Sequence, residues 1–285
     1  MLCYYRRYKM ESKKVDEGLM ARLRAIVGDD GMVARDTELL VYECDGYTLE
    51  RAVPQVVVLP RSTRQVSDIC RLLYRAQVAF VPRGAGTGLS GGCLPLDAPV
   101  MICTSRMKRI IEIDTANRRA VVEAGVVNLD VTKAVAAHGL CYAPDPSSQA
   151  ACTIGGNIAE NSGGPHTLKY GVTTNHVLGV ELVLPNGDVV SLGGAIEDLP
   201  GYDLTGLVVG SEGTFGIVTQ ATLRLIRQPF AWKTLLGVFE NVEDATATVS
   251  GIIRAGIIPA ALEMMDQLIV GAVAEIGRAS CRERV

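Results

Sequence analysis

Aromatic residues and histidine are scarce in this sequence: aromatics are 5% of 285 residues, with one tryptophan, and there are three histidines. Those histidines, His138, His166 and His176, show neither HxH nor HExxH spacing, so no metal site is predicted. A surplus of one charge is also missing. Lys and Arg number 28 against 31 Asp and Glu, a net charge of -3. That balance argues against broad binding to nucleic acid or to an anionic membrane. No apolar run is long enough to cross a bilayer. The N-terminus, Met1-Leu2-Cys3-Tyr4-Tyr5-Arg6-Arg7, lacks the apolar core of a secretory signal, and residues 1–9 read as an extension without a structural role. None of the eight cysteines forms CxxC. They read as buried free thiols, so the protein is expected in the reducing cytoplasm.

What is present is glycine, 30 residues of it, and a hydrophobic fraction of 48%. That fraction supports a sizeable core. Apolar positions at helical spacing predict a helix over 16–27 that ends at Gly28. Residues 55–59 read as a buried strand. Ser62 then stands three before Gln65, a capping-box spacing, and opens a helix. Strands follow at 78–81, 100–103, 109–113 and 120–123. Asn128 is expected to cap a helix reaching about His138, with Gly139 closing it. Pro185-Asn186-Gly187-Asp188 reads as a hairpin turn between strands 177–184 and 189–192, and 217–226 alternates as a further strand. Composition shifts at Gln228-Pro229. Beyond it, strand 234–239, helix 242–255 and strand 257–264 read as the first β-α-β of a second α+β unit. The last residues, 277–285, break that pattern and read as an unrelated tail.

The stretch 82–92, PRGAGTGLSGG, holds five glycines in eleven residues. Such a loop exposes successive backbone N–H groups, a concave anion site. Arg83 adds a fixed positive charge suited to phosphate. By letters, residues 86–91 match GxGxxG. A Rossmann site needs a helix starting within that motif, and Pro95 and Pro99 forbid one. No Gly-Lys-Ser/Thr follows, which removes a Walker loop. Three more small-residue segments stand at 143–148, 152–164 and 209–219. Four of them, between core strands, suit an extended ligand with a diphosphate and hydrogen-bonding rings.

Together these motifs resemble the FAD-linked oxidases of the vanillyl-alcohol-oxidase/PCMH type, in the branch of glycolate oxidase and D-lactate dehydrogenase. The resemblance rests on VVLPRST (57–63), PRGAGTGLSGG (82–92), APDPSS (143–148), CTIGGN (152–157), ENSGG (160–164), LKYGVTTNHVLG (168–179), LPNG (184–187), GYDLTGL (201–207) and VGSEGTFGIVT (209–219). It covers roughly residues 16–276, and the order and spacing make it specific.

The resemblance implies an α+β fold: a two-lobed PCMH-type FAD-binding domain at 48–228, preceded by a helical lead-in (1–47). The start of a ferredoxin-like α+β cap domain follows at 229–276, and the tail is 277–285. It implies that the backbone at Arg83, Gly84, Ala85, Gly86, Thr87, Gly88, Leu89 and Ser90 holds the pyrophosphate. Pro146, Ser147, Ser148, Thr153, Gly155, Gly156 and Asn157 are expected along the ribityl chain and flavin. Asn161, Ser162, Gly163 and Gly164 are expected near the isoalloxazine, and Glu212, Gly213 and Ile217 towards the ribose and adenine. No histidine lies in 82–92, so FAD is expected to be non-covalent. His138 reads as a helix-end residue and His176 as structural. His166 reads as a structural loop residue, with a substrate-facing role as the alternative.

The implied reaction is oxidation of a small 2-hydroxy acid by hydride transfer to flavin N5. Electrons would pass on to an iron–sulfur subunit or quinone, which would set any attachment to the inner membrane. Catalytic residues are expected beyond residue 276, so the chain reads as an N-terminal fragment that retains mainly FAD binding. A non-catalytic FAD-binding module is the alternative, and a nicotinamide-dependent Rossmann dehydrogenase rests only on the letter match at 86–91.

Overall fold

A computed structural model describes residues 13–195 and 201–282 of the chain. The extension at 1–9 and the end of the tail, 283–285, lie outside the described residues.

The first lobe opens with α1 (Glu17–Val27), whose cap Asp16 accepts the Leu19 N–H at 2.7 Å. Leu19, Leu23 and Val27, four residues apart, form its buried face. Strand β1 (Met32–Val33) and the short α2 (Asp36–Leu39) follow. All three residues of β2 (Val56–Val58) are buried, the mark of a strand covered on both faces. In α3 (Thr63–Ala76), Ser62 Oγ accepts the Gln65 N–H. The Gln65 side chain accepts from Arg61 N–H rather than from Ser62, so the capping box closes one residue further out. Strands β3 (Phe80–Arg83) and β4 (Val100–Cys103) complete a sheet of order β1-β2-β4-β3. β2, β4 and β3 run parallel, and β1 is antiparallel at the edge. The glycine-rich stretch therefore leaves the carboxyl end of β3, where ligands gather in parallel sheets.

The second lobe is built on an antiparallel sheet. Its strands are β5 (Ile110–Asp114), β6 (Arg119–Glu123), β8 (Val177–Val183), β9 (Val189–Gly193) and β10 (Ile217–Arg224), in the order β5-β6-β10-β8-β9. Buried and half-buried residues alternate along all of β10. The helices α4 (Asn128–Val135) and α5 (Ile154–Glu160) add Val131, Val135, Ile154 and Ile158 to its core. Strand β7 (Leu140–Cys141) pairs with β11 (Ile226–Arg227), and α6 (Thr167–Tyr170) and α7 (Leu204–Val208) fill connections. The β8–β9 hairpin turns at Gly187, φ 89°, as its sequence predicts. One expectation changes here. Val127, not Asn128, stands at the cap of α4, and the Asn128 side chain points inward to the Pro144 carbonyl and Asn157 Oδ1, each at 3.0 Å.

Val183 and Ile217, from the second sheet, pack in one core with α1, α3 and the first sheet. Glu181 Oε1 on β8 accepts from Thr63 Oγ1 at 2.5 Å, Thr219 Oγ1 at 2.9 Å and Gln220 Nε2 at 2.8 Å, tying the start of α3 to the second lobe.

From Arg227 to Glu275 no residue is buried. Helix α8 (Val242–Arg254) forms behind its predicted cap, where Asn241 Oδ1 accepts the Asp244 N–H at 2.8 Å. The strands expected at 234–239 and 257–264 do not form. A strand holds its shape through a paired neighbour, and none pairs with these segments among the described residues. Helix α9 (Gln267–Arg282) runs into 277–282, residues that the sequence set apart as a tail.

Candidate functional site

The loop after β3 is irregular, as Pro95 and Pro99 require. Among the described residues, none of the backbone N–H groups of residues 84–90 donates to a protein acceptor. Gly84, Gly86, Thr87 and Gly88 in this run are half-buried and Ala85, Leu89 and Ser90 exposed, so its N–H groups are open to an external acceptor. Gly86 sits at φ 72°, a left-handed conformation that suits glycine.

The facing wall is the start of α5. Thr153 caps it, its Oγ1 accepting the Gly156 N–H at 3.4 Å. A Cβ on Gly84 would stand 2.6 Å from Thr153 Oγ1, so the loop of the first lobe and the helix start of the second meet with no side chain between them. Asn157 is buried, and its amide is engaged on both sides: Oδ1 accepts from Asn128, and Nδ2 donates to Cys152 Sγ at 3.3 Å. The third wall is the turn before β10, where Glu212 holds a left-handed φ of 53° and donates its N–H to the Ala159 carbonyl at 2.9 Å. Glu160 Oε2 accepts from Ser90 Oγ at 3.0 Å. The Glu160 and Glu212 carboxylates flank Gly92, each within 3.4 Å of where its Cβ would stand.

These walls enclose a cavity of about 480 Å³. That lies within the roughly 300–1,000 Å³ typical of small-molecule and cofactor sites. Arg83, Gly84, Ala85, Gly86, Thr87, Gly88, Leu89, Ser90, Ser148, Thr153, Gly155, Gly156, Asn157, Ser162, Glu212, Gly213 and Ile217 line it. Pro146, Ser147, Asn161, Gly163 and Gly164 do not. Asn161 ends α5 in a left-handed turn, and its Oδ1 accepts the Thr174 N–H. A Cβ on Gly163 would meet Thr167 and Val172, and one on Gly164 would meet Asp145.

Several lining residues were missed by the sequence reading, among them Asp45, Cys93, Thr104, Cys152, Glu160 and Ser211. Glu160 opens the ENSGG motif and could have been included. Asp45 falls in the lead-in and has no local signal. Arg83 is 8% exposed, and its guanidinium packs against Gly86 of the loop, where a built Cβ would overlap it.

The histidines stand apart from the cavity wall. His166 Nδ1 lies 2.5 Å from Asp145 Oδ2, which fixes the ring in its loop. His176 is buried, its Nε2 bonded to the Tyr170 carbonyl at 2.8 Å, and burial holds it below the usual imidazole range. Burial pushes the Cys70 thiol up to about 12 and Cys93 to about 11, so both stay protonated and unreactive.

A nest of free N–H groups at the end of a parallel sheet, closed by a second antiparallel lobe, defines a nucleotide-cofactor domain. Comparison with known families assigns it further. Residues 54–193 match the FAD binding domain, and residues 228–283 match the C-terminal domain of FAD linked oxidases. The chain belongs to the FAD-linked oxidase family. It is 48% identical over 237 residues to the glycolate oxidase subunit GlcD of Escherichia coli (strain K12), covering 83% of this chain and 48% of that protein. The GlcD subunit of Bacillus subtilis (strain 168) is 45% identical over 272 residues, 94% of this chain and 57% of its own length. A D-lactate dehydrogenase of Anaerostipes hadrus is 36% identical, with 88% and 52% covered. The chain thus spans about half the length of the curated relatives it matches. In fold it is similar to an alkyldihydroxyacetonephosphate synthase structure, with a TM-score of 0.76 at 21% identity, over 90% of this chain and 49% of that one.

Proposed function

We propose that the chain holds FAD non-covalently between its two lobes and serves the oxidation of a small 2-hydroxy acid of the glycolate or D-lactate kind. The observation that carries the reading is the run of unpaired N–H groups at residues 84–90, all of which line the cavity together with Thr153. Those groups would take the pyrophosphate through the backbone. Thr153, Gly155, Gly156 and Ser162 would border the ribityl chain and flavin, with Ser148 at the same wall. Glu160 and Glu212 offer acceptors only, which match the hydroxyl groups of a ribose and repel a phosphate. Bound FAD would supply the two-electron acceptor for the hydrogen on the acid's α-carbon. The substrate class is supported by the relatives named for glycolate and D-lactate. That one of these is named as a subunit supports a partner chain, which we propose to be an iron–sulfur electron carrier. We further propose a domain division at residue 228, with the cap beginning there, supported by the loss of burial beyond it.

Equilibrium titration of the chain with FAD tests cofactor binding. Saturable binding supports the reading, and failure to bind FAD sinks it. Acid precipitation should leave the flavin in the supernatant, and flavin that stays with the pellet would refute non-covalent attachment. The substrate is tested by anaerobic addition of glycolate or D-lactate to this chain fused to the second half of a relative. Bleaching of the flavin band by either acid supports the assignment, and retained colour with both overturns it.

A further inference from the structure

Among the described residues that line the cavity, Arg83 is the one fixed cation, and its guanidinium is held by Cys44 and Cys93. Its Nη1 donates to the Cys44 carbonyl at 3.0 Å and to Cys93 Sγ at 3.3 Å. The Cys93 thiol in turn donates to Asp45 Oδ2 at 3.7 Å. A protonated thiol can accept from the guanidinium and donate to the carboxylate at once, and burial keeps it protonated, pushed up to about 11. The guanidinium carbon also lies 5.7 Å over the Tyr42 ring. Above it, a Cβ on Gly86 would overlap Nη2 and Cζ, so the guanidinium closes directly against the loop backbone.

The segment 44–47 completes the grip. A Cβ on Gly46 would stand 2.6 Å from the Gly88 carbonyl oxygen and 3.0 Å from that of Thr87. Those two carbonyls therefore turn towards the strap. In a trans peptide the N–H points opposite to the C=O, so the N–H groups of Gly88 and Leu89 turn away from it. Asp45 Oδ1 accepts the Tyr47 N–H at 2.8 Å and fixes the strap's own turn.

We propose that Arg83, Cys93 and Asp45 form a positioning relay that clamps the strap at 44–47 to the loop and thereby sets the outward presentation of its N–H groups. Arg83 is a positioning residue, acting on FAD through the loop backbone and not by contact with a phosphate. The inference rests on the proposal that this loop holds FAD.

The test compares FAD binding by the wild-type chain with Arg83→Met, Cys93→Ala, Cys93→Ser and Asp45→Asn, each over a range of ionic strength. The relay predicts that the Met, Ala and Asn variants each raise the FAD Kd by about tenfold. Arg83→Met combined with Cys93→Ala should be no worse than Arg83→Met alone, because both break one chain of contacts. Cys93→Ser, which keeps a donor and an acceptor, should recover most of the affinity. The dependence of Kd on salt should stay that of wild type, since no phosphate contact is lost. Two results overturn the relay: Arg83→Met alone weakening FAD and flattening the salt dependence, or all variants binding as wild type does. A wild-type chain that binds no FAD would instead sink the cofactor reading itself.

Discussion

Gly86 carries more of the site than its missing side chain suggests. Its φ of 72° strains any other residue, and a Cβ there would overlap the Arg83 guanidinium. Gly86→Ala should therefore raise the FAD Kd at least about tenfold, measured by flavin fluorescence titration. His176 makes a different kind of prediction. Burial lowers its proton affinity in the folded state from the ordinary 6.5. The unfolded chain then takes up a proton first as pH falls, so stability is complete above about 6.5 and declines below it. Urea midpoints at pH 8 and pH 5 should show this loss, and His176→Gln, which keeps a donor for the Tyr170 carbonyl, should reduce it. Arg83 is the residue whose partners were least legible in the sequence. A cation in a phosphate loop suggests a phosphate partner, but the chain fold supplies it with Cys44, Cys93 and Tyr42 from segments that no local pattern connects.

Helix α3 and the β8–β9 hairpin join the two lobes, and Glu181 is the polar centre of that joint. Three donors converge on its Oε1. Glu181→Ala leaves them without this acceptor and should cost about 2 kcal/mol in urea unfolding. Glu181→Gln, which keeps the acceptor oxygen, should cost less than half as much. The elements themselves were largely legible: α1, α3, the hairpin and β10 follow from apolar spacing, caps and a Pro-Asn-Gly-Asp turn, all local signals. The cap of α4 was misassigned, because Asn128 makes its hydrogen bonds to Pro144 and Asn157 across the fold and not to its own helix. The strands expected at 234–239 and 257–264 show the same limit. Their residues have strand composition, but pairing is decided by a neighbour and not by composition.

Every described residue lining the cavity lies between Asp45 and Val218, and nothing from Arg227 to Glu275 is buried. The FAD site should therefore survive removal of residues 228–285. The shortened chain should bind FAD with a Kd within about threefold of the full chain by the same titration. A loss of binding would mean that the later residues shape the cavity. The deleted segment exposes Phe230, Trp232, Leu235, Leu236 and Val238, so its removal should also reduce self-association on gel filtration.

The sequence by itself determined the loop, because glycine spacing and the prolines at 95 and 99 act through local backbone sterics. It also determined the order of the small-residue segments that marks the family. Tertiary structure alone decided which of those segments share a wall, since Gly84 meets Thr153 only when two sheets close on one another. It also brought Thr174 to Asn161, Thr167 and Val172 to Gly163, Asp145 to Gly164, and the Arg83 guanidinium against Gly86. The physical reason is the same in each case: a local signal fixes the path of the backbone, while the partner of a side chain is set by what the rest of the fold brings against it.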